Sequence, residues 1–173
     1  MTMRTAQRNL LLLRHAKSDW PDDVPDQERP LAPRGRREAP LVGRWLHEHG
    51  PMPDLVFCSP ALRARQTWEL VAQELPTAPQ VKFEGRVYDA GVSQLLALIG
   101  ETADSITTLL LVGHNPSMEA LADVLAGGGE ERALDRMRAK FPTAALAVLT
   151  FEGPWTALEG GGAELVDFVV GRR

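Results

Sequence analysis

Several runs in this chain are apolar at every position rather than at alternate ones. Leu10, Leu11, Leu12 and Leu13 stand together, as do Leu109, Leu110, Leu111 and Val112. A strand with one wet face alternates polar and apolar residues. A strand that is apolar throughout has to be covered on both faces, which is the position of a parallel strand between two layers of helices. Strands are read on this basis over residues 10–14, 55–58, 81–88, 108–112 and 145–151, with a sixth over 165–170.

Helical patterns fill the intervals. Residues 34–49 lie between Pro33 and Gly50, the usual start and stop residues, although Pro40 inside them predicts a late start or a kink. Residues 61–75 place Ala64, Trp68, Val71 and Leu75 on one stripe. Residues 92–99 and 117–125 read as two more helices. Strands alternating with helices predict an α/β fold: a three-layer sandwich with a mostly parallel central sheet. The polar, proline-rich stretch 19–33 reads as a surface loop, and the glycine runs at 127–129 and 160–162 as turns.

At 173 residues the chain suits one domain, 1–173. Its formal net charge of -4 argues against a nucleic-acid binder, and neither glycine run leads into the Lys-Ser/Thr of a P-loop. The apolar stretch from Leu10 is interrupted at Arg14, too soon for a signal peptide or a membrane span. With Cys58 as the single cysteine, the expectation is a cytoplasmic protein without a disulfide or a membrane partner.

Two of the buried strands end in histidine. Leu13 runs into Arg14-His15-Ala16, and Val112 into Gly113-His114-Asn115-Pro116. Ligands of open α/β sheets bind beyond the carboxyl ends of the strands. Asn115 and Pro116 read as the N-cap and first residue of a helix, which sets His114 near free N–H groups. Ser59 and Pro60 repeat that signal after the second strand. Arg63 and Arg65 follow, about 200° apart around a helix, so they cannot share a face. Glu69 offers Arg65 a surface ion pair, and Thr67 offers Arg63 no charge. Arg63 is therefore assigned to the site and Arg65 to the solvated face. A neutral imidazole is a competent nucleophile near pH 7, and guanidinium forks match phosphate oxygens. One histidine for attack and the other groups for the oxygens make a coherent phosphoryl-transfer set.

On these residues the chain resembles the histidine phosphatase superfamily. The matching stretches are Arg14-His15-Ala16, Ser59-Pro60-Ala61-Leu62-Arg63-Ala64-Arg65-Gln66-Thr67 and Gly113-His114-Asn115-Pro116. The short length, Leu31, Gly35, Phe141-Pro142-Thr143-Ala144 and the closing Trp155 and Leu165-Val166-Asp167-Phe168 resemble its small phosphohistidine phosphatase (SixA-type) branch. The resemblance implies a phosphoglycerate mutase-like fold. It implies His15 as the phosphorylated nucleophile, with Arg14, Arg63 and His114 on the phosphoryl oxygens and no metal or other cofactor. The substrate would be a phosphohistidine protein or a small phosphomonoester, and phosphate or sulfate would enter the pocket.

Asp89 is the candidate general acid; equally, it reads as the N-cap of the helix that follows. A phosphohistidine substrate manages without a strong acid, since its imidazole departs easily. Lys17 and Ser18 are candidate substrate contacts or ordinary loop surface. His47 and His49, two apart, do not share a helix face and read as solvated residues at a helix end. Cys58 fails as a cysteine-phosphatase nucleophile, because four residues separate it from Arg63 and six from Arg65. Two further readings are a non-catalytic phosphate-binding module and a mutase. The mutase would need a closed pocket, whereas a chain this short predicts a shallow, open site with His15 exposed at a strand end. Arg34, Arg36 and Arg37 read either as a solvated helix face or as a docking patch for an acidic partner.

Overall fold

The structure is a computed structural model that describes residues 6–172; of the polar start, residues 1–5 lie outside the described residues. One seven-stranded sheet runs through the molecule. Its strands in chain order are β1 (Gln7–Arg14), β2 (Leu55–Cys58), β3 (Gln80–Phe83), β4 (Thr108–Gly113), β5 (Ala126–Gly129), β6 (Ala145–Glu152) and β7 (Ala163–Val170). They lie side by side in the order β3-β2-β4-β1-β6-β7-β5. Only β6 runs against the rest, antiparallel to both β1 and β7; every other pairing is parallel.

The unbroken apolar runs have the expected cause. Pleating sends alternate residues of one strand into two different cores. Leu10 and Leu12, Leu55 and Phe57, and Leu109 and Leu111 belong to one core. Leu11 and Leu13, Val56 and Cys58, and Leu110 and Val112 belong to the other. The first core is closed by α3 (Val92–Gly100), α4 (Ser117–Leu125) and α5 (Glu131–Ala139), and the second by α1 (Pro33–His49) and α2 (Leu62–Ala72). The three-layer, mostly parallel α/β sandwich read from the sequence is the architecture observed.

The departures are local. The strand expected over 81–88 stops at Phe83 and lies on the sheet edge, largely exposed. Glu84 then accepts a hydrogen bond from Arg86 N and caps a short 3-10 turn, Gly85–Val87, which carries Val87 into the core. α1 starts at Pro33 and continues through Pro40 as one helix, so there is no late start. The glycine run at 127–129 is not a turn: it belongs to edge strand β5, paired with β7. The sequence reading has no counterpart for α5, whose mostly polar surface buries only Ala133 and Met137.

Among the described residues no helix is long and apolar enough to cross a membrane.

Candidate active site

Three adjacent parallel strands deliver their carboxyl ends to one edge of the sheet. Arg14 of β1 is in register with Gly113 of β4, and Cys58 of β2 with Val112. The backbone holds the pattern for one more residue. His15 N donates to Gly113 O at 3.0 Å, and Ser59 N donates to Val112 O at 3.0 Å. Ser59, His114 and His15 thus stand side by side at the ends of β2, β4 and β1. The two imidazole centroids are 5.1 Å apart and tilted by 56°.

His15 is not the exposed strand-end residue expected, and His114 is buried beside it. Each is only 8% exposed, because the loop after β1 and the turn before β6 fold over the edge. Ala144, with a left-handed φ of 61°, bonds through its N–H to Arg14 O and His15 O, both at 3.1 Å.

His15 Nδ1 lies 2.7 Å from Ala16 O. A carbonyl oxygen only accepts, so Nδ1 carries the proton and Nε2 keeps its lone pair. Burial is the main cause that pushes this imidazole down to about 3, with His114, Arg63 and Arg14 adding to the effect and the Ala16 carbonyl opposing it. His15 is therefore neutral at ordinary pH. His114 is likewise pushed down to about 4, first by burial and then by Arg63.

His114 Nε2 is 2.8 Å from Ser59 Oγ. That hydroxyl accepts from Ala61 N at 3.3 Å and still has a proton to donate to His114 Nε2. In the tautomer that takes this proton, His114 carries its own on Nδ1, which among the described residues is buried without a partner. Arg14 Nε is a second buried donor without a partner, while its Nη1 donates to Phe141 O at 3.1 Å. Native proteins rarely leave buried donors unsatisfied, and an oxyanion is the kind of partner such donors take.

Arg63, 6% exposed, points its fork at Asp26. Nη1 donates to Asp26 O at 2.6 Å and Nη2 to Asp26 Oδ2 at 2.9 Å. Tyr88 Oη donates to the same Oδ2 at 2.5 Å, with its ring edge-on to His114 at 5.5 Å. Arg29 Nη1 donates to Asp26 Oδ1 at 3.0 Å. The Tyr88 hydroxyl first, then Arg63 and Arg29, hold the Asp26 carboxyl well below the usual carboxylate range. Behind Arg63, Thr67 Oγ1 donates to Arg63 O at 2.7 Å and accepts from Ala16 N at 2.9 Å, tying α2 to the turn that carries His15.

The structure thus brings Arg14, His15, Arg63 and His114 together. Arg65 is exposed, as expected, but its ion pair with Glu69 is not among those formed. Asp89 is exposed, has no hydrogen-bond or ion-pair partner among the described residues, and does not cap the next helix, whose N-cap is Gly91. Lys17 is exposed; its backbone O accepts from Ala32 N at 2.8 Å. Ser18 is buried, and its hydroxyl accepts from Arg29 Nη2 at 2.6 Å. Ser59 does not cap α2, whose N-cap position is Ala61. The N-cap position of α4 is Pro116, yet Asn115 Oδ1 accepts from Glu119 N at 3.2 Å in the first turn of that helix, while Asn115 Nδ2 donates to Phe141 O at 3.0 Å. Cys58 is buried and its thiol is pushed up to about 12 by desolvation, which makes it inert. His47 and His49 are exposed at the end of α1.

Asp26 and Tyr88 are the residues that sequence reasoning missed. Asp26 sits in a loop with Asp19, Asp22 and Asp23, and nothing in the sequence distinguishes it from them. Tyr88 is the only tyrosine, directly after Val87, and that singular position was its available signal.

The family model of the histidine phosphatase superfamily (branch 1) matches residues 10–87. The uncharacterized protein Rv1276c of Mycobacterium tuberculosis is 44% identical over 162 residues, covering 92% of this chain and 100% of the relative. A structure described as a putative phosphohistidine phosphatase SixA from Nakamurella multipartitia has a TM-score of 0.84 and 33% identity, covering 96% of this chain and 98% of that one. A second, a putative phosphohistidine phosphatase SixA from Agrobacterium tumefaciens, has a TM-score of 0.78 and 29% identity over 94% of this chain and 98% of its own. Taken with the two strand-end histidines and the Arg63 helix, these matches make the chain a member of the histidine phosphatase superfamily, in its SixA-type branch.

Proposed function

We propose that this phosphatase hydrolyses phosphohistidine, or a small phosphomonoester, through a phosphorylated His15. The observation that carries the reading is the Nδ1 contact of His15 with Ala16 O, which leaves an unprotonated Nε2 beside His114. In the first step the Nε2 lone pair forms a P–N bond. The bond to the departing nitrogen or oxygen breaks, and the leaving group keeps that electron pair and takes up a proton from solvent. In the second step a water oxygen attacks phosphorus, the P–N bond breaks, His15 recovers its lone pair and the water gives up a proton to solvent.

Arg14, Arg63 and the Nδ1–H of His114 hold the equatorial oxygens, where charge must be balanced. These donors suffice without a metal. Phosphohistidine is favoured over an ester because the site lacks a placed acid. Asp89 is exposed and unpartnered, and the Asp26 carboxyl is held ionised by Tyr88 and Arg63. An imidazole leaves readily without an acid, whereas an alkoxide does not. The names of the two solved relatives point the same way, and the reading includes a cytoplasmic setting.

The test is to mix the protein with a phosphoryl donor, quench, and look for acid-labile, base-stable label on His15. Turnover of a phosphohistidine peptide is then compared with a panel of phosphate esters. Label on His15 that turns over, and its loss in His15→Asn, is the expected result. A protein that binds phosphate tightly without ever acquiring label is a binding module instead.

A further inference from the structure

The groove along the outer side of α1 has a volume of about 920 Å³, and none of its lining residues belongs to the His15 cluster. Six cations line it: Arg34, Arg36, Arg37 and Arg44 from α1, Lys140 from just after α5, and Arg172 from just after β7. Among the described residues its only acid is Glu38, which is buried and already shared between Arg34 Nε at 2.8 Å and Arg172 Nε at 3.8 Å. Arg44 faces Glu74 at 3.6 Å. Among the described residues, Arg36, Arg37 and Lys140 form no ion pair, and all three are exposed.

A solvated helix face would need only α1. Convergence of two further chain segments on the same groove, in a protein of net charge -4, makes a concentrated positive field instead. The groove is far larger than one phosphate needs and has no aromatic side chain on which a base might stack. Arginine forks suit carboxylates, and Pro40 and Leu41 supply a small apolar floor. An extended acidic peptide has the matching shape and charge.

Two lining stretches are chain neighbours of residues that touch the catalytic edge. Lys140 precedes Phe141, whose carbonyl accepts from Arg14. Gly35, between Arg34 and Arg36, lies so close to Lys17 O that an added Cβ would come within 2.2 Å of it. A ligand in the groove is therefore connected through short stretches of backbone to the turn bearing His15.

We propose that this groove docks an acidic segment of the phosphorylated protein substrate, so that the phosphoryl group reaches His15 as part of a two-point contact. The inference rests on the phosphohistidine reading above. Two-point engagement raises the effective concentration of the phosphoryl group without adding a contact at phosphorus.

The test uses two phosphohistidine peptides that differ only in a distal run of five residues, glutamates in one and glutamines in the other. p-Nitrophenyl phosphate serves as the small reference. At low salt the wild type is expected to show about tenfold higher kcat/KM on the glutamate peptide, through KM, and to lose the preference at high salt. Arg36→Glu/Arg37→Glu is expected to abolish the preference, and the milder Arg36→Gln/Arg37→Gln to reduce it. All variants should turn over the small reference at the wild-type rate, which also shows that they are folded. Equal kcat/KM for both peptides in the wild type, or a preference that survives charge reversal, overturns the docking groove alone. Turnover of the small reference with none of either peptide overturns the substrate reading and the groove with it.

Discussion

Asp26 and Arg63 form a two-point pair in which one guanidinium fork grips both the carboxylate and the backbone carbonyl of the same residue. Arg63 has five N–H donors, and Asp26 takes one from each terminal nitrogen. The rest remain for a phosphoryl oxygen. Asp26 therefore both orients Arg63 and places a negative charge near the position a dianion must enter. In Asp26→Asn the backbone contact and a polar side chain are kept while the charge is lost. Inorganic phosphate should then inhibit more tightly, on the order of tenfold, since like-charge repulsion near a protein surface has that size. An inhibition constant that is unchanged or weaker would show that Asp26 acts only as a tether.

Arg63 and Arg65, two residues apart on α2, should separate in kinetics. Arg63 is buried beside the two histidines and Arg65 is exposed. Arg63→Ala is expected to lower kcat/KM by roughly a hundredfold to a thousandfold, the usual loss for one oxyanion donor. Arg65→Ala should stay within about twofold. Equal losses in steady-state assays would contradict the assignment.

Arg14, His15 and His114 were legible because they lie at strand ends, and an unbroken apolar run marks where a strand ends. Arg63 was reached by a different route, its angular separation from Arg65 on α2. β5 was not legible for the opposite reason. Gly127, Gly128 and Gly129 have no side chains, so there is no periodicity to read, and backbone pairing with β7 alone defines the strand. α5 hid because a helix that buries only Ala133 and Met137 carries little apolar signal, although their spacing of four, with Glu131 in the first turn and Arg136 and Arg138 in the last, was there to find. Asp26 was invisible because its role depends on where a loop folds back. Residues 26 and 63 meet across 37 positions of chain. Burial of His15 was misjudged because it comes from the 141–144 turn, distant in sequence.

The turn bearing His15 is held by a side chain from another element, which gives a test of positioning. Thr67 Oγ1 bridges Ala16 N and Arg63 O, and the residue is fully buried. Thr67→Val keeps the shape and removes the acceptor, leaving the Ala16 N–H unsatisfied at a cost of about 1–3 kcal/mol of stability. Because that N–H sits next to His15, kcat should also fall, about tenfold, with KM little changed. Thr67→Ser, which keeps the hydroxyl, should recover most of kcat. Failure of serine to rescue, with equal stability loss in both variants, would assign Thr67 to packing alone.

The histidine pair also sets the response of stability to acid. Folded His15 titrates at about 3 and His114 at about 4, whereas an unfolded histidine titrates near 6.5. Below about pH 6.5 the unfolded chain binds protons that the folded chain refuses, so stability falls with falling pH. Between pH 7 and pH 5 each histidine contributes a loss of about 2 kcal/mol. Asp26, whose folded carboxyl is held below its usual range, adds to the loss only below about pH 5, where an unfolded aspartate begins to take up protons. Urea unfolding at pH 7 and pH 5 reads the histidine part without the aspartate part. His15→Asn and His114→Asn should each flatten the pH dependence by about half. The same neutral pair predicts that kcat/KM has no acid limb between pH 7 and pH 5. Such a limb near pH 6.5, together with unchanged urea midpoints across that range, would mean that His15 carries a proton when the enzyme is free, and a protonated imidazole has no lone pair with which to attack.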